Sequence, residues 1–96
     1  MSAFIIVNID VTDPEGFAKY RELVAPTIHA AGGRYRIRGG TAQVLEGSFQ
    51  PKRMVMLEFD NREAALAWYE SGTYAPLKAL RQQSSSADVI LVDGVD

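Results

Sequence analysis

Strand-like and helix-like segments alternate along this chain of 96 residues. Residues 3–10 form an apolar, β-branched run whose two faces are both largely hydrophobic, which is typical of a strand buried on both sides. A helix is predicted to begin at Asp13, because Asp13 can cap it and Pro14 suits its first position. Apolar side chains follow at helical spacing: Phe17, Tyr20, Val24 and Ile28. Pro26 interrupts this pattern, so we expect a kink or a break there.

The next segment is fenced by glycines and predicts a second strand. Arg34, Arg36 and Arg38 alternate with apolar residues, which is the period of a strand. Alternation places three guanidinium groups on one face. The glycine pair at residues 39–40 predicts a bulge or bend, after which we expect the strand to continue to Glu46.

Residues 53–60 predict a third strand, joined to the second by a short loop and therefore antiparallel to it. A simple register places Glu46 opposite Arg53, close enough for an ion pair. A second helix begins after the cap residue Asn61 and is interrupted at residues 71–73. After it we expect a short helix over residues 74–82, then a flexible serine link, and then a last strand over residues 88–93.

The resulting order, β-α-β-β-α-β, is that of a ferredoxin-like α+β fold with a four-stranded antiparallel sheet. We expect one domain over residues 1–96, with both helices on one face of the sheet. The other face would carry six apolar side chains: Phe4, Ile6, Met54, Met56, Ile90 and Val92. That surface is large for water, so the same face of a second copy is the simplest cover, and a homodimer is predicted.

Composition excludes several classes of function. The formal net charge of −2 argues against non-specific nucleic-acid binding. The chain has no cysteine and His29 is its one histidine, so no metal-ligand spacing is present. No cofactor is expected, because Gly39 and Gly40 lie within a strand and match neither the dinucleotide nor the P-loop pattern. The first residues lack a basic signal region and a membrane-length apolar run, so no membrane association and a cytoplasmic location are expected.

Several short motifs together resemble the domain-of-unknown-function 1330 family over nearly the whole chain. They are Gly32-Gly33-Arg34-Tyr35, Arg38-Gly39-Gly40, Leu45-Glu46-Gly47, Pro51 with Arg53, Glu58-Phe59, Ala67-Trp68-Tyr69, Ser71, Tyr74, Arg81 and Val92-Asp93-Gly94. The resemblance implies a dimeric α+β barrel, a fold shared with heme-free antibiotic-biosynthesis monooxygenases, muconolactone isomerases and the ligand-binding halves of some transcription regulators. It implies no settled activity. Phe49 departs from the family pattern, which tends to have tryptophan there.

A pocket for a small anionic, partly aromatic or apolar ligand is predicted between the sheet and the helices. Its candidate lining is Tyr20, Arg34, Arg38, Glu58, Trp68, Ser71 and Tyr74. Arg34 and Arg38 adjoin glycines, where a ligand can approach the backbone closely. The alternative is that the arginines form a solvated face and that Trp68 and Tyr20 are ordinary core residues.

Catalytic residues are not identified, but Glu58 and His29 are candidates. Glu58 shares a strand face with methionines, where a raised pKa would suit a general base. An arginine of a neighbouring strand or of a partner chain could instead pair with it. His29, near a helix C-terminus, also suits a favourable charge–dipole contact. Three hypotheses therefore stay open: a small-molecule-binding dimer, a cofactor-independent enzyme such as an isomerase or oxygenase, and a structural dimer without a ligand.

Overall fold

The computed structural model describes residues 1–95. Its elements are β1 (Ala3–Val11), α1 (Pro14–Ala30), β2 (Arg34–Arg38), β3 (Arg53–Phe59), α2 (Arg62–Tyr69), α3 (Ala75–Ser84) and β4 (Ser85–Asp93). The sheet is antiparallel with strand order β2-β3-β1-β4. The predicted α+β fold is thereby confirmed, with the second helical region divided into two helices.

Alternation in the central strand β1 separates the helix-covered face of the sheet from its open face. Ala3, Ile5, Val7 and Ile9 are buried beneath the helices, as their spacing predicts. The intervening side chains, such as Phe4 and Ile6, are only half-buried. Residues 3–9 of β1 are paired on both sides, with β3 and with β4, whereas Asp10 and Val11 pair with β4 alone.

Helix α1 runs through Pro26 without a break. Of the two expected outcomes, a kink or a break, the break is therefore wrong. Pro26 lies on the exposed side of the helix, where water can solvate the carbonyl that a proline leaves unpaired. The helix ends in a Schellman motif. Gly33 N–H donates to the carbonyl of Ile28 at 2.9 Å, and Gly32, at φ +81°, donates to that of His29 at 3.0 Å. Asp13 precedes the helix but makes no side-chain capping bond.

Strand β2 is shorter than predicted. It ends at Arg38, and residues 39–52 form an irregular connection instead of a continued strand. Gly39, at φ +75°, turns the chain away after its N–H donates to the Met54 carbonyl at 2.7 Å. Asn8 holds the returning end, since its Oδ1 accepts from Lys52 N at 2.7 Å and its Nδ2 donates to the Gln50 carbonyl at 3.1 Å. The expected pairing of Glu46 with Arg53 is therefore wrong.

A bulge in β2 changes which face each arginine occupies. Tyr35 pairs with Leu57, and Ile37 pairs with the adjacent Met56, so Arg36 is an extra residue in the ladder. Beyond the bulge the alternation is inverted. Arg38 shares the helix-covered face with Tyr35, and the prediction of three arginines on one face is wrong.

The second half of the chain follows the predicted order, with one correction. The Asn61 side chain caps α2 by accepting from Ala64 N at 2.8 Å, as predicted. The expected flexible serine link is absent, because α3 ends at Ser84 and β4 starts at Ser85. Both hydroxyls are fixed: Ser84 donates to the Leu80 carbonyl at 2.7 Å and Ser85 to that of Arg81 at 2.6 Å. Within residues 1–95, no helix has the length and apolar character needed to cross a membrane.

Candidate functional site

A cavity of about 40 Å³ lies between the helix-covered face of the sheet and the helices. Its walls are apolar side chains of β1, β3 and α1, such as Val7, Leu57 and Val24. Its polar and aromatic lining consists of Phe17, Tyr20, Arg21, Tyr35, Arg38, Arg53, Trp68, Tyr69, Tyr74 and Arg81. No carboxylate of the described residues lines it, so the cavity has cations without counterions.

The inner end of the cavity, which we define as Tyr20, Tyr74 and Arg81, is a buried hydrogen-bonded chain. The two tyrosine hydroxyl oxygens are 2.9 Å apart, and Arg81 Nε donates to the Tyr74 hydroxyl at 3.3 Å. Tyr20 comes from α1, whereas Tyr74 immediately precedes α3 and Arg81 lies two helical turns further on. Trp68 packs on the Tyr74 ring with centroids 4.1 Å apart, which holds the phenol in place.

Burial determines the ionisation of this inner end. It raises the pKa of Tyr20 far above the usual phenol range, and the neighbouring Tyr74 adds to the effect. Burial acts to lower the pKa of Arg81, but the Tyr74 and Tyr20 phenols outweigh it and the pKa is raised overall. At neutral pH the inner end therefore holds a protonated Tyr20 beside a charged guanidinium that only donates hydrogen bonds.

The mouth of the cavity, which we define as Arg21, Arg38 and Arg53, concentrates positive charge. Arg53 Nε is buried and has no hydrogen-bond partner among residues 1–95. Burial lowers the pKa of Arg53, and the charges of Arg21 and Arg38 lower it further. The Arg38 guanidinium lies 4.3 Å from the centre of the Tyr35 ring. In the part of the chain that the structure describes, none of the three arginines forms an ion pair.

Gly39 supports this mouth by leaving room for Arg53. A Cβ atom built on Gly39 would clash with Nη1 and Cζ of Arg53. The positive φ of Gly39 also favours glycine, because other residues are strained in that conformation. Backbone and guanidinium therefore meet at a distance that no other residue type permits.

Tyr35 connects the two ends of the cavity. Its half-buried ring lines the cavity below Arg38, and burial raises its pKa. Its phenol senses the charges of Arg38, Arg53 and Arg21 as well as the phenol of Tyr74. Tyr35 thus interacts electrostatically with the arginines of the mouth and with Tyr74 of the inner end.

The remaining β2 arginines lie on the open face of the sheet, where they neutralise Glu58. Arg36 Nε donates to Glu58 Oε1 at 2.6 Å, and an Arg34 nitrogen lies 3.5 Å from Glu58 Oε2. The hydrogen bond from Arg36 lowers the pKa of Glu58, with a further contribution from Ser2. The raised pKa expected for a general base is therefore wrong, and pairing with a neighbouring strand, the stated alternative, is confirmed.

The seven candidate lining residues divide between three places. Tyr20, Arg38, Trp68 and Tyr74 surround the cavity, whereas Arg34 and Glu58 lie on the open face because the bulge separates them from Arg38. Ser71 belongs to neither group, and it holds the turn before α3. Its hydroxyl donates to the Trp68 carbonyl at 2.8 Å and accepts from Tyr74 N at 3.1 Å.

His29, the other candidate base, is exposed and does not line the cavity. Its ring meets the edge of Tyr35, with ring centroids 6.2 Å apart. Both candidate bases are therefore outside the cavity. Among residues 1–95, no group of three or more acidic or histidine side chains is arranged to hold a metal ion.

Sequence reasoning missed five of the polar cavity residues: Arg21, Tyr35, Arg53, Tyr69 and Arg81. Arg53 left a usable signal, because it continues the alternation of Val55, Leu57 and Phe59 and is therefore a charge on the core-facing side of a strand. Arg81 is 5% exposed, and such burial of an arginine depends on the tyrosines around it. No local pattern in the sequence brings those tyrosines together.

Solved structures share this fold at low sequence identity. A protein of unknown function from Rhodopseudomonas palustris is 13% identical, with a TM-score of 0.77 over 99% of this chain and 83% of that chain. SnoaB, a cofactor-independent oxygenase from Streptomyces nogalater, is 12% identical, with a TM-score of 0.69 over 99% of this chain and 94% of that chain. A de novo designed protein is 11% identical, with a TM-score of 0.61 over 99% and 100% of the two chains.

These likenesses concern the fold alone, and the designed protein illustrates why the fold does not specify an activity. Among curated proteins, no match to the chain was found. A family model, in contrast, matches residues 2–95, which is almost the entire chain. The chain therefore belongs to the family described as domain of unknown function (DUF1330).

Proposed function

We propose that this protein binds a small organic carboxylate in the cavity, with the anionic group at the mouth. The main support for the proposal is that the positive charges of the mouth have no acidic partner within residues 1–95. Three guanidinium groups approach one another without a carboxylate, and Arg53 Nε is buried without an acceptor. Leaving a buried donor unpaired costs about 1–3 kcal/mol, more where it is charged, and a bound anion would remove that cost.

The chemistry of the mouth suits a carboxylate. Guanidinium groups present paired N–H donors that match the two oxygens of a carboxylate. The walls behind the mouth are apolar and aromatic, which suits a hydrocarbon body attached to the anion.

The size of the cavity restricts that body. A volume of about 40 Å³ exceeds the roughly 10–15 Å³ that one water requires, but is far below the ~300 Å³ of typical drug-sized sites. The ligand is therefore a short-chain acid, or a ring that enters as Arg38 and Arg53 swing outward. Both side chains are long, and neither forms an ion pair within residues 1–95 that would resist this movement.

Thermal unfolding in the presence of short-chain and aromatic acids tests the proposal. At a concentration 100 times Kd the stabilisation is about 2.7 kcal/mol, which corresponds to roughly 10 °C or more in Tm for a domain of this size. Arg53→Met should weaken binding about tenfold or more, because a charge-assisted hydrogen bond is lost. Arg62→Met is the matched control, since Arg62 pairs with Asp93 at 3.0 Å and does not line the cavity.

Two results would contradict carboxylate binding at the mouth. One is the absence of any shift in Tm beyond that produced by sodium chloride at equal ionic strength. The other is an equal loss of affinity in Arg53→Met and Arg62→Met, which would indicate a general effect of net charge.

We also propose that the protein is a homodimer through the open face of the sheet. Ile90 and Val92 of β4 are 56% and 42% exposed, and Ile37 beyond the bulge is 39% exposed. Phe4, Ile6, Met54 and Met56 extend this surface as half-buried neighbours. Burying such a patch contributes about 25 cal/mol per Å². Light scattering at micromolar concentration should give twice the mass of 10.5 kDa, and a monodisperse monomer would contradict the proposal.

Binding is a better supported function than base catalysis by Glu58 or His29. The fold likeness to a cofactor-independent oxygenase permits an enzymatic reading. However, Glu58 is paired with arginines on the open face, and His29 is exposed outside the cavity. A base that contacts a ligand in the cavity would have to be a residue other than these two. The enzymatic hypothesis is therefore our second choice.

A further inference from the structure

The hydrogen bonds at the inner end of the cavity leave one phenolic hydrogen without an acceptor. Tyr20 and Tyr74 share one hydrogen bond between their hydroxyls, at 2.9 Å. Arg81 Nε uses the Tyr74 oxygen as an acceptor, and a guanidinium cannot accept in return. Among residues 1–95, neither hydroxyl makes another hydrogen bond. Whichever tyrosine donates within the pair, the hydrogen of the other is free.

This free hydrogen is buried and borders the cavity. Tyr74 and Tyr20 are 2% and 8% exposed, and both line the cavity wall. The other groups around them are the donor Arg81 and the aromatic rings of Phe17, Trp68 and Tyr69. Because no surrounding side chain accepts this hydrogen in the structure, whatever fills the cavity is in a position to do so.

We infer that the ligand carries a carbonyl oxygen in addition to its carboxylate and that this oxygen accepts the free phenolic hydrogen of the inner end. The ligand class is then a short-chain oxo acid. The inference rests on the proposed function, in which the mouth holds the carboxylate. An ammonium or amine at the same position is disfavoured, since the tyrosine pair offers a hydrogen and Arg81 carries a positive charge.

Matched acids that differ only in the carbonyl test this inference directly. Isothermal titration of the full chain would compare 4-oxopentanoate with pentanoate, and pyruvate with propanoate. We expect at least one oxo acid to bind about tenfold more tightly than its plain counterpart, which is the effect of one hydrogen bond made in a buried site. The chain length that shows the larger ratio reports the spacing between the mouth and the inner end.

Removing the Tyr20 and Tyr74 hydroxyls singly and together should change the preference for the oxo acid non-additively. A merely structural role of these tyrosines would not produce that pattern. In Tyr20→Phe the Tyr74 hydrogen stays free, and in Tyr74→Phe the Tyr20 hydrogen stays free. Each single variant should therefore keep a preference for the oxo acid within about threefold of the original ratio. The double variant has no phenolic hydrogen at this site, and its ratio of oxo-acid affinity to plain-acid affinity should fall to about one.

The possible results separate the two proposals. Equal binding of oxo and plain acids by the unmodified protein would overturn the inference, because the acceptor would then be a water, and would leave carboxylate binding standing. Binding of no carboxylate at all would overturn both. An undiminished preference in a double variant that retains its circular dichroism spectrum would overturn the role of the tyrosines. The comparison in the unmodified protein decides the inference even if the double variant does not fold.

Discussion

The two faces of the sheet treat the arginines of one short strand in opposite ways. On the open face, Arg34 and Arg36 lie within 4 Å of the Glu58 carboxylate. On the helix-covered face, Arg38 joins Arg21 and Arg53, and no carboxylate lines the cavity they surround. The residue type is the same on both sides, and only the bulge at Arg36 separates them.

The candidate site is therefore identified by arginines that lack a carboxylate partner, and not by the presence of arginine alone. Charges on the open face are neutralised within the chain, so they need no ligand. Charges at the mouth have no carboxylate partner within residues 1–95, and Arg53 Nε is buried there without an acceptor. Functional sites commonly retain such locally unfavourable arrangements.

The largest effect is expected for Trp68→Ala, beneath the helix-covered face. Trp68 is 5% exposed, packs on Tyr74 and donates through Nε1 to Thr27 Oγ1 at 3.1 Å. Its removal should lower the free energy of unfolding by about 3–5 kcal/mol, measured by urea denaturation. Leu66→Ala, in the same helix at 39% exposure, is the control and should cost far less. Equal losses would mean that this face is not the main core.

On the open face, Ile90→Lys should dissociate the proposed homodimer. A two-fold axis places the substitution twice in the interface, so we expect Kd to rise by about 100-fold or more, measured by sedimentation. Leu23→Lys is a close control, because Leu23 is 53% exposed against 56% for Ile90 but lies on α1. Dissociation by Leu23→Lys instead would place the interface on the helices.

Arg53→Met and Arg36→Met should change stability in opposite directions when no ligand is present. Arg53→Met removes an unpaired buried donor and should raise the free energy of unfolding by about 1 kcal/mol. Arg36→Met removes the partner of Glu58 and should lower it. Paired melting curves at pH 7 and low salt provide the measurement. A loss of stability in Arg53→Met would show that the mouth is already satisfied, and the contrast between the faces would fail.

The smallest effect concerns acid stability on the open face. The pKa of Glu58 is lowered in the folded protein, chiefly by the Arg36 hydrogen bond, from an ordinary value of 4.5. Its contribution is therefore present above that value and is lost as the pH falls through the lower, folded-state pKa. Glu58→Gln should flatten this part of the pH–stability curve, as followed by the urea midpoint. An unchanged curve in Glu58→Gln would contradict the assignment.

The sequence predicted the fold well because the fold depends on repeating apolar patterns. Ile5, Val7 and Ile9 of β1 are buried where their alternation places them. Asn61 begins its helix as a cap, and the glycines at 32 and 33 end theirs. These features are local, so the neighbouring residues contain the necessary information.

The candidate site was only partly predictable because its geometry depends on contacts between distant segments. The bulge at Arg36 arises from the pairing of β2 with β3, and nothing in the alternation itself reveals an extra residue. Arg81 donates to Tyr74 in the turn before α3, and Tyr74 in turn pairs with Tyr20 of α1, 54 residues away in the chain. Arg53 is the exception, because its place on the core-facing side of β3 could have been deduced from Val55 and Leu57.

Gly39 matters for engineering because it has no Cβ atom. The Arg53 guanidinium occupies the volume where a Cβ of residue 39 would stand. Even alanine at this position would therefore push the Arg53 side chain away. Alanine scanning conventionally skips glycine or treats alanine as neutral, and at this position both conventions would mislead. Gly39→Ala would displace the Arg53 cation without changing its chemistry, and it would also strain the backbone at φ +75°, so both effects would act together.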